Sequence, residues 1–229
     1  MTRPRKDIVS VSETPYYHVI TRCVRGAYLC GLDPSADRSY EHRRMWIVDR
    51  MTELADIFAI SIKAYAVRPS QYHLLLELEP QRTKAWSEQE VIERWTNLYK
   101  GPELIQKLKA GSELSEQEKQ ELSELANVWR ERLADLGWFM KNLNQAVARK
   151  ANKEDRCSGH FWVSRYKSQA LMGEEDIARC KRKWDLLNHD DRDEEVDASE
   201  PSVLKVESQC REYVSLQRVR PARMADEFA

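Results

Sequence analysis

Two hydrophobic rhythms divide this chain. Residues 16–23, Tyr-Tyr-His-Val-Ile-Thr-Arg-Cys, are rich in aromatic and β-branched side chains and follow Pro15, which predicts a strand. A period of two puts His18, Ile20 and Arg22 on one face and Tyr17, Val19 and Thr21 on the other. The same rhythm returns over 60–67 and 72–78, on either side of a tight turn at Arg68-Pro69-Ser70, and predicts an antiparallel pair. Over 40–58 the period is close to 3.6: Met45, Trp46, Val48, Met51, Leu54, Ala55 and Phe58 recur as on one helix face, with Ser39 placed to cap its start. Residues 87–98 form a short helix opened by Ser87 and Glu90 at capping-box spacing. Residues 100–118 are polar, with two glycines and a proline, and predict a helical insertion over about 87–125. Residues 123–152 predict one long helix with the stripe Leu125, Val128, Trp129, Leu133, Leu136, Phe139, Met140, Leu143 and Val147, bent at Gly137. Residues 159–171 read as a turn and a strand with Phe161, Val163, Arg165 and Lys167 on one face, and 174–187 as a short helix.

This order of strand, helix, strand pair, helices, strand and helix predicts an α+β fold, one antiparallel sheet with helices packed on it. Strand 72–78 is expected at its centre, between 60–67 and 16–23. The first domain is placed at 1–188. Residues 189–229 form an acidic, weakly patterned tail.

Composition narrows the setting. The chain has 229 residues, a third of them charged, and a mean hydropathy of −0.71. No apolar run nears the roughly 18 residues of a membrane span, and no apolar stretch follows the basic N-terminus as in a secretory signal. A cytoplasmic protein with no membrane partner is expected. Cys23, Cys30, Cys157, Cys180 and Cys210 have no C-x-x-C pair among them, so they are read as reduced packing residues.

The net charge of −1 hides an asymmetry. Residues 141–185 hold eleven Lys/Arg against six Asp/Glu, and residues 186–207 hold two against eight. A basic segment followed by an acidic one suits a polyanion-binding face with an acidic tail, and equally suits ordinary solvated helix faces.

The chemistry concentrates on the strand after the turn. Gln71 and His73 are two residues apart, so they share a face and can reach one metal ion or one phosphate. His18 and His42 are read as strand and helix side chains, not ligands.

Several segments together resemble the REP-associated tyrosine transposases, single-tyrosine members of the HUH superfamily. They are residues 16–23, Tyr40-Glu41-His42-Arg43-Arg44, Ala64-Tyr65-Ala66-Val67, Trp138-Phe139-Met140-Lys141-Asn142-Leu143-Asn144, Gly159-His160-Phe161-Trp162 and residues 165–171. The resemblance runs in order over roughly residues 3–188. It implies a ferredoxin-like or RRM-like sheet and single-stranded DNA cleavage beside a hairpin. It also implies Mg²⁺ or Mn²⁺ held by two histidines of a central strand, and a tyrosine nucleophile on a C-terminal helix. This chain departs twice. Gln71 stands where the first histidine is expected, leaving His73 and Gln71 as a weak metal pair. Lys183 stands at the tyrosine position, or Trp184 if the register slips by one, and neither can form a phosphotyrosine.

The expectation is a DNA-binding protein of transposase descent, bacterial in kinship, that takes single-stranded or hairpin DNA with cleavage weakened or lost. An active transposase and a domesticated protein-interaction module are the alternatives. Tyr166 and Tyr213 are the tyrosines considered as displaced nucleophiles. Arg22, Arg43, Arg44, Arg149, Lys150, Arg165, Lys167, Lys181, Arg182 and Lys183 are the candidate phosphate contacts. Trp162 and Tyr166 are candidate stacking platforms, with core packing the stronger reading for Trp162. Between monomer and homodimer the sequence does not choose.

Overall fold

The structure is a computed structural model, described over residues 12–24 and 27–180. Its elements are β1 (Tyr16–Arg22), β2 (Leu32–Asp33), β3 (Arg38–Ser39), α1 (His42–Ile57), β4 (Ile60–Arg68), β5 (Gln71–Leu78), α2 (Pro80–Ala85), α3 (Glu88–Thr96), α4 (Glu103–Lys109), α5 (Glu116–Leu133), α6 (Leu136–Glu154) and β6 (Lys167–Ala170). The chain divides into two units at residue 172, and residues 174–180 of the second are helical. The domain boundary expected at 188, the tail beyond it and the end of the last helix lie outside the described residues.

β4, β5, β1 and β6 form one sheet in that order, every neighbouring pair antiparallel. β5 is central between β4 and β1, as the alternation predicts. The central strand joins the two strands that α1 connects, and β6 lies outside β1. This is the βαββαβ connectivity of a ferredoxin-like sheet. β4 and β5 meet through the two-residue turn Pro69-Ser70, which sets Arg68 opposite Gln71. A bulge between Ile62 and Ala64 lets Lys63 reach Glu77 at 2.5 Å.

One face of the sheet is the core. Tyr17, Val19, Tyr72, Leu74 and Leu76 are fully buried there. α6 lies against this face: the Tyr72 hydroxyl donates to Asn144 Oδ1 at 2.5 Å, and the Trp162 indole N–H donates to the Asn144 carbonyl at 2.9 Å. α1 joins the layer through Arg43, Ile47, Met51 and Leu54, a row at helical spacing that is buried along its length. This differs from the expected stripe: Met45 is 44 % exposed, and an arginine takes the core position one turn before Ile47.

The long helix expected over 123–152 is two helices. α5 ends at Leu133, and Asp135 caps α6 by accepting from the Trp138 N–H at 2.8 Å. A capping carboxylate starts a new helix where a glycine alone would only permit a bend. α5 also begins earlier than expected, at a full capping box formed by Ser115 and Glu118. The box expected at Ser87 is half made. Ser87 accepts from the Glu90 N–H, while the Glu90 carboxylate turns to Arg94. Arg94 donates in turn to the carbonyls of Asp56 and Ile57, closing the end of α1. The last strand is shorter than expected. Residues 163–166 are irregular, so the alternation from Phe161 to Lys167 does not hold: Phe161 is buried and Val163 is 61 % exposed. No helix among the described residues is long and apolar enough to cross a membrane.

Candidate nucleic-acid interface

The opposite face of the sheet carries the polar groups. Residues directly opposite one another in an antiparallel pair project from the same face, so the register assembles rows. The first row is Arg68, Gln71 and Arg22. The second is Ala66, His73, Ile20 and Lys167. The third is Ala64, Leu75, His18 and Gln169. Neighbouring strands lie about 4.8 Å apart, so Arg22 and Arg68 flank Gln71 directly and Lys167 stands roughly 10 Å from His73. Arg22 and Lys167 are exposed, and neither has an ion-pair partner among the described residues. Glu77, the carboxylate of this face, sits at the far end of β5 with Lys63. It also receives the Tyr16 hydroxyl, whose pKa is raised by that hydrogen bond and by partial burial. The end of the face around Gln71 is therefore cationic.

His73 is buried, and its Nδ1 lies 3.1 Å from Nε2 of His18. The pairing joins β1 to β5 diagonally, and nothing local in the sequence pointed to it. Arg68 was also absent from the sequence-derived contacts. A two-residue turn necessarily sets the residue before it opposite the residue after it, so Arg68 was readable from the hairpin signal. His18 was not, because its contact depends on the β1–β5 register.

The sequence-derived cations do not share one face. Arg22 and Lys167 belong to the first two rows, and Arg165 is exposed in the irregular segment before β6. Arg149 and Lys150 are exposed on α6, in the helix layer that covers the other face. The Lys150 ammonium lies 4.3 Å from the Trp46 ring centre. Arg44 binds Glu41 and donates to the Val67 carbonyl at 2.6 Å. Arg43 is 1 % exposed. It donates from Nε to Glu154 at 2.8 Å and to the Tyr28 carbonyl at 2.8 Å, and pairs with Asp155. It is a buried strut from the start of α1 to the end of α6, with no group left to present to a phosphate. Burial alone would raise the Glu154 pKa, but the hydrogen bond and charge of Arg43, with His42 beside it, hold it below the usual range. Lys181, Arg182 and Lys183 lie outside the described residues, as do Trp184 and Tyr213.

Tyr166 is buried on the helix side of the sheet. Its hydroxyl is 3.7 Å from where a side chain at Gly137 of α6 would begin. That is the face opposite His73, so this hydroxyl is not placed to attack a phosphate held there. Trp162 packs edge-on against Tyr72 at 5.7 Å, also on the core side. Cys23 and Cys30 are buried without a disulfide, and burial, with Cys30 nearby, pushes the Cys23 thiol up to about 12.

The donor set suits Mg²⁺ or Mn²⁺ poorly. These ions take about six hard oxygen ligands. Here one imidazole, already joined to His18 through Nδ1, stands beside one neutral amide, and no three His, Cys, Asp or Glu side chains come together as ligands among the described residues.

No protein-family model matches the chain, and no curated protein matches it.

Proposed function

We propose that this protein binds single-stranded or hairpin DNA at the cationic end of the sheet face opposite α6, using a scaffold of the single-tyrosine transposase type without its phosphotyrosine chemistry. The observation that carries the reading is the row register. It sets Arg22 and Arg68 beside Gln71, and Lys167 in the row of His73, on the sheet face opposite the one that α6 packs against. Exposed cations such as Arg22 and Lys167, beside a polar strip, contact phosphates without reading sequence. The resemblance of several segments to a hairpin-processing family supports the choice of ligand. Binding is independent of divalent ions, because the strip offers hydrogen-bond donors and positive charge rather than a hard-ion cage. Strand cleavage is lost, because Lys183 stands at the tyrosine position and the Tyr166 hydroxyl lies on the other face.

A hairpin-tipped single strand, titrated at several salt concentrations with Mn²⁺ or with EDTA, tests both halves. Affinity is expected to fall about tenfold or more from low to moderate salt and to be equal with and without the metal. Incubation with labelled DNA and Mn²⁺ followed by a denaturing gel is expected to show no covalent adduct. An adduct that disappears in Tyr166→Phe or Tyr213→Phe would make the protein an active transposase. Absence of DNA binding at any salt would leave the protein-interaction reading. Gln71→His with Lys183→Tyr is the pair expected to recover cleavage, and each change alone should do little, since ligand and nucleophile act as a unit.

A further inference from the structure

The row at the turn end of the sheet runs one residue beyond β1. Cys23 bridges Trp162, and the Val163 N–H donates to the Arg22 carbonyl at 3.0 Å. Val163 therefore stands across from Arg22 on the outer side of β1. Its neighbour Trp162 packs on Tyr72 on the core side, so Val163 turns to the other face. The full row is Arg68, Gln71, Arg22 and Val163. Arg22 and Val163 are exposed. Gln71 is half-buried, and its amide has no hydrogen-bond partner among the described residues.

These side chains differ in what they can recognise. A guanidinium meets a phosphate whatever base follows it, so the arginines position a strand. The amide does more. It presents an acceptor oxygen and a donor nitrogen side by side in one plane. That pattern matches the N6 amino group and N7 of adenine. It mismatches guanine, which shows two acceptors, O6 and N7, on the same edge. Val163 lies two strand spacings from Gln71, roughly 10 Å, which leaves room for one base over Arg22 between them. An exposed apolar side chain at that place suits the face of a base and offers nothing to a hydrated ion.

We propose that Gln71 is a specificity residue: its amide reads the N6–N7 edge of one unpaired adenine in the bound strand, and Val163 takes the face of that base. The inference rests on the DNA-binding reading and names what that site selects. Each group it uses reaches the surface, and it requires no metal.

The test changes protein and DNA together. Hairpin-tipped strands carrying each of the four bases in turn at every unpaired position are titrated against the full chain. The adenine of the tightest strand is then replaced by 7-deazaadenine, which keeps N6 and lacks N7. One position is expected to prefer adenine over guanine by about five- to hundredfold, the range of one bidentate pair. At that position 7-deazaadenine should bind roughly three- to tenfold more weakly than adenine, the loss of one hydrogen bond. In Gln71→Met, which keeps the length of the side chain and removes the amide, the three bases should bind within about twofold of one another, at an unchanged salt slope. The cycle compares strands within each protein, so a general loss of affinity or stability in the variant cancels. Val163→Ser should weaken every base at that position and keep their order. An adenine preference that survives in Gln71→Met overturns the proposal, as does a wild-type protein that binds hairpin strands without base preference; either result leaves the DNA-binding reading standing. A protein that binds no strand at any salt overturns that reading and this proposal with it.

Discussion

Arg22 and Arg43 are the same residue type, twenty-one positions apart, and the fold uses them in opposite ways. Arg22 ends β1 on the sheet face opposite α6, exposed, across from Gln71. Arg43 takes a core position on α1 and is 1 % exposed, with Glu154, Asp155 and the Tyr28 carbonyl around it. What separates them is the partner that tertiary structure delivers. Two carboxylates at the end of α6 absorb Arg43. Among the described strand residues of the opposite face the carboxylate is Glu77, three rows away and held by Lys63. A count of local charge sees two cations. The fold makes one a strut and the other a candidate phosphate ligand.

The sharpest break of this comparison is to remove the strut. Arg43→Met leaves Glu154 and Asp155 facing a buried apolar group, and removing one partner of a buried pair costs about 3–5 kcal/mol. Both carboxylates are a quarter exposed, so the lower end is expected, read as a fall in urea midpoint at constant slope. Acid should reveal the same interaction. The Glu154 pKa is depressed in the folded state, so its contribution is present above the unfolded carboxylate value of about 4.3 and is lost as the pH falls through the lower folded value. Arg43→Met should flatten that acid limb. A variant of unchanged stability would mean that Arg43 does not brace α1 against α6.

Next in size is the contrast between the two sides of the molecule. Arg22→Glu with Lys167→Glu should weaken hairpin binding by tenfold or more. It should also reduce the salt slope by roughly 0.7 for each single-strand phosphate no longer neutralised. Folding stability should stay within about 0.5 kcal/mol, since both side chains are exposed. Arg149→Glu with Lys150→Glu, on the helix layer, should change affinity far less. Equal effects from the two pairs would place the DNA elsewhere, across α6.

These contrasts also mark what the sequence could show. Strands β1, β4 and β5 and their pairing were legible, because alternation and a two-residue turn are local signals. The break between α5 and α6 was legible in principle: Asp135, three residues before Trp138, is an N-cap signal that the hydrophobic stripe conceals, since the stripe runs on through both helices. The burial of Arg43 had one local hint, its spacing of four from Ile47. Its carboxylate partners are more than a hundred residues away, and no local pattern supplies them. The His18–His73 contact was invisible for the same reason. Each histidine was placed on its own strand correctly, but only the β1–β5 register brings them together.

The smallest test concerns Lys150, a cation that local charge groups with the candidate phosphate ligands and that the fold sets over Trp46. Its ammonium lies 4.3 Å from that ring centre, at an exposed site, where such an interaction contributes about 0.5–1 kcal/mol. Lys150→Met keeps the stem that covers the indole and removes the charge. It should cost about 0.5 kcal/mol in urea unfolding, quench or shift Trp46 fluorescence slightly, and leave hairpin affinity within about twofold. Lys167→Met removes the same charge from the sheet face opposite α6 and should do the reverse, with unchanged stability and weaker binding. If Lys150→Met lowers affinity as much as Lys167→Met does, a cation resting on an aromatic ring in the helix layer also touches DNA, and the division between structural and binding cations that Arg22 and Arg43 exemplify fails at its margin.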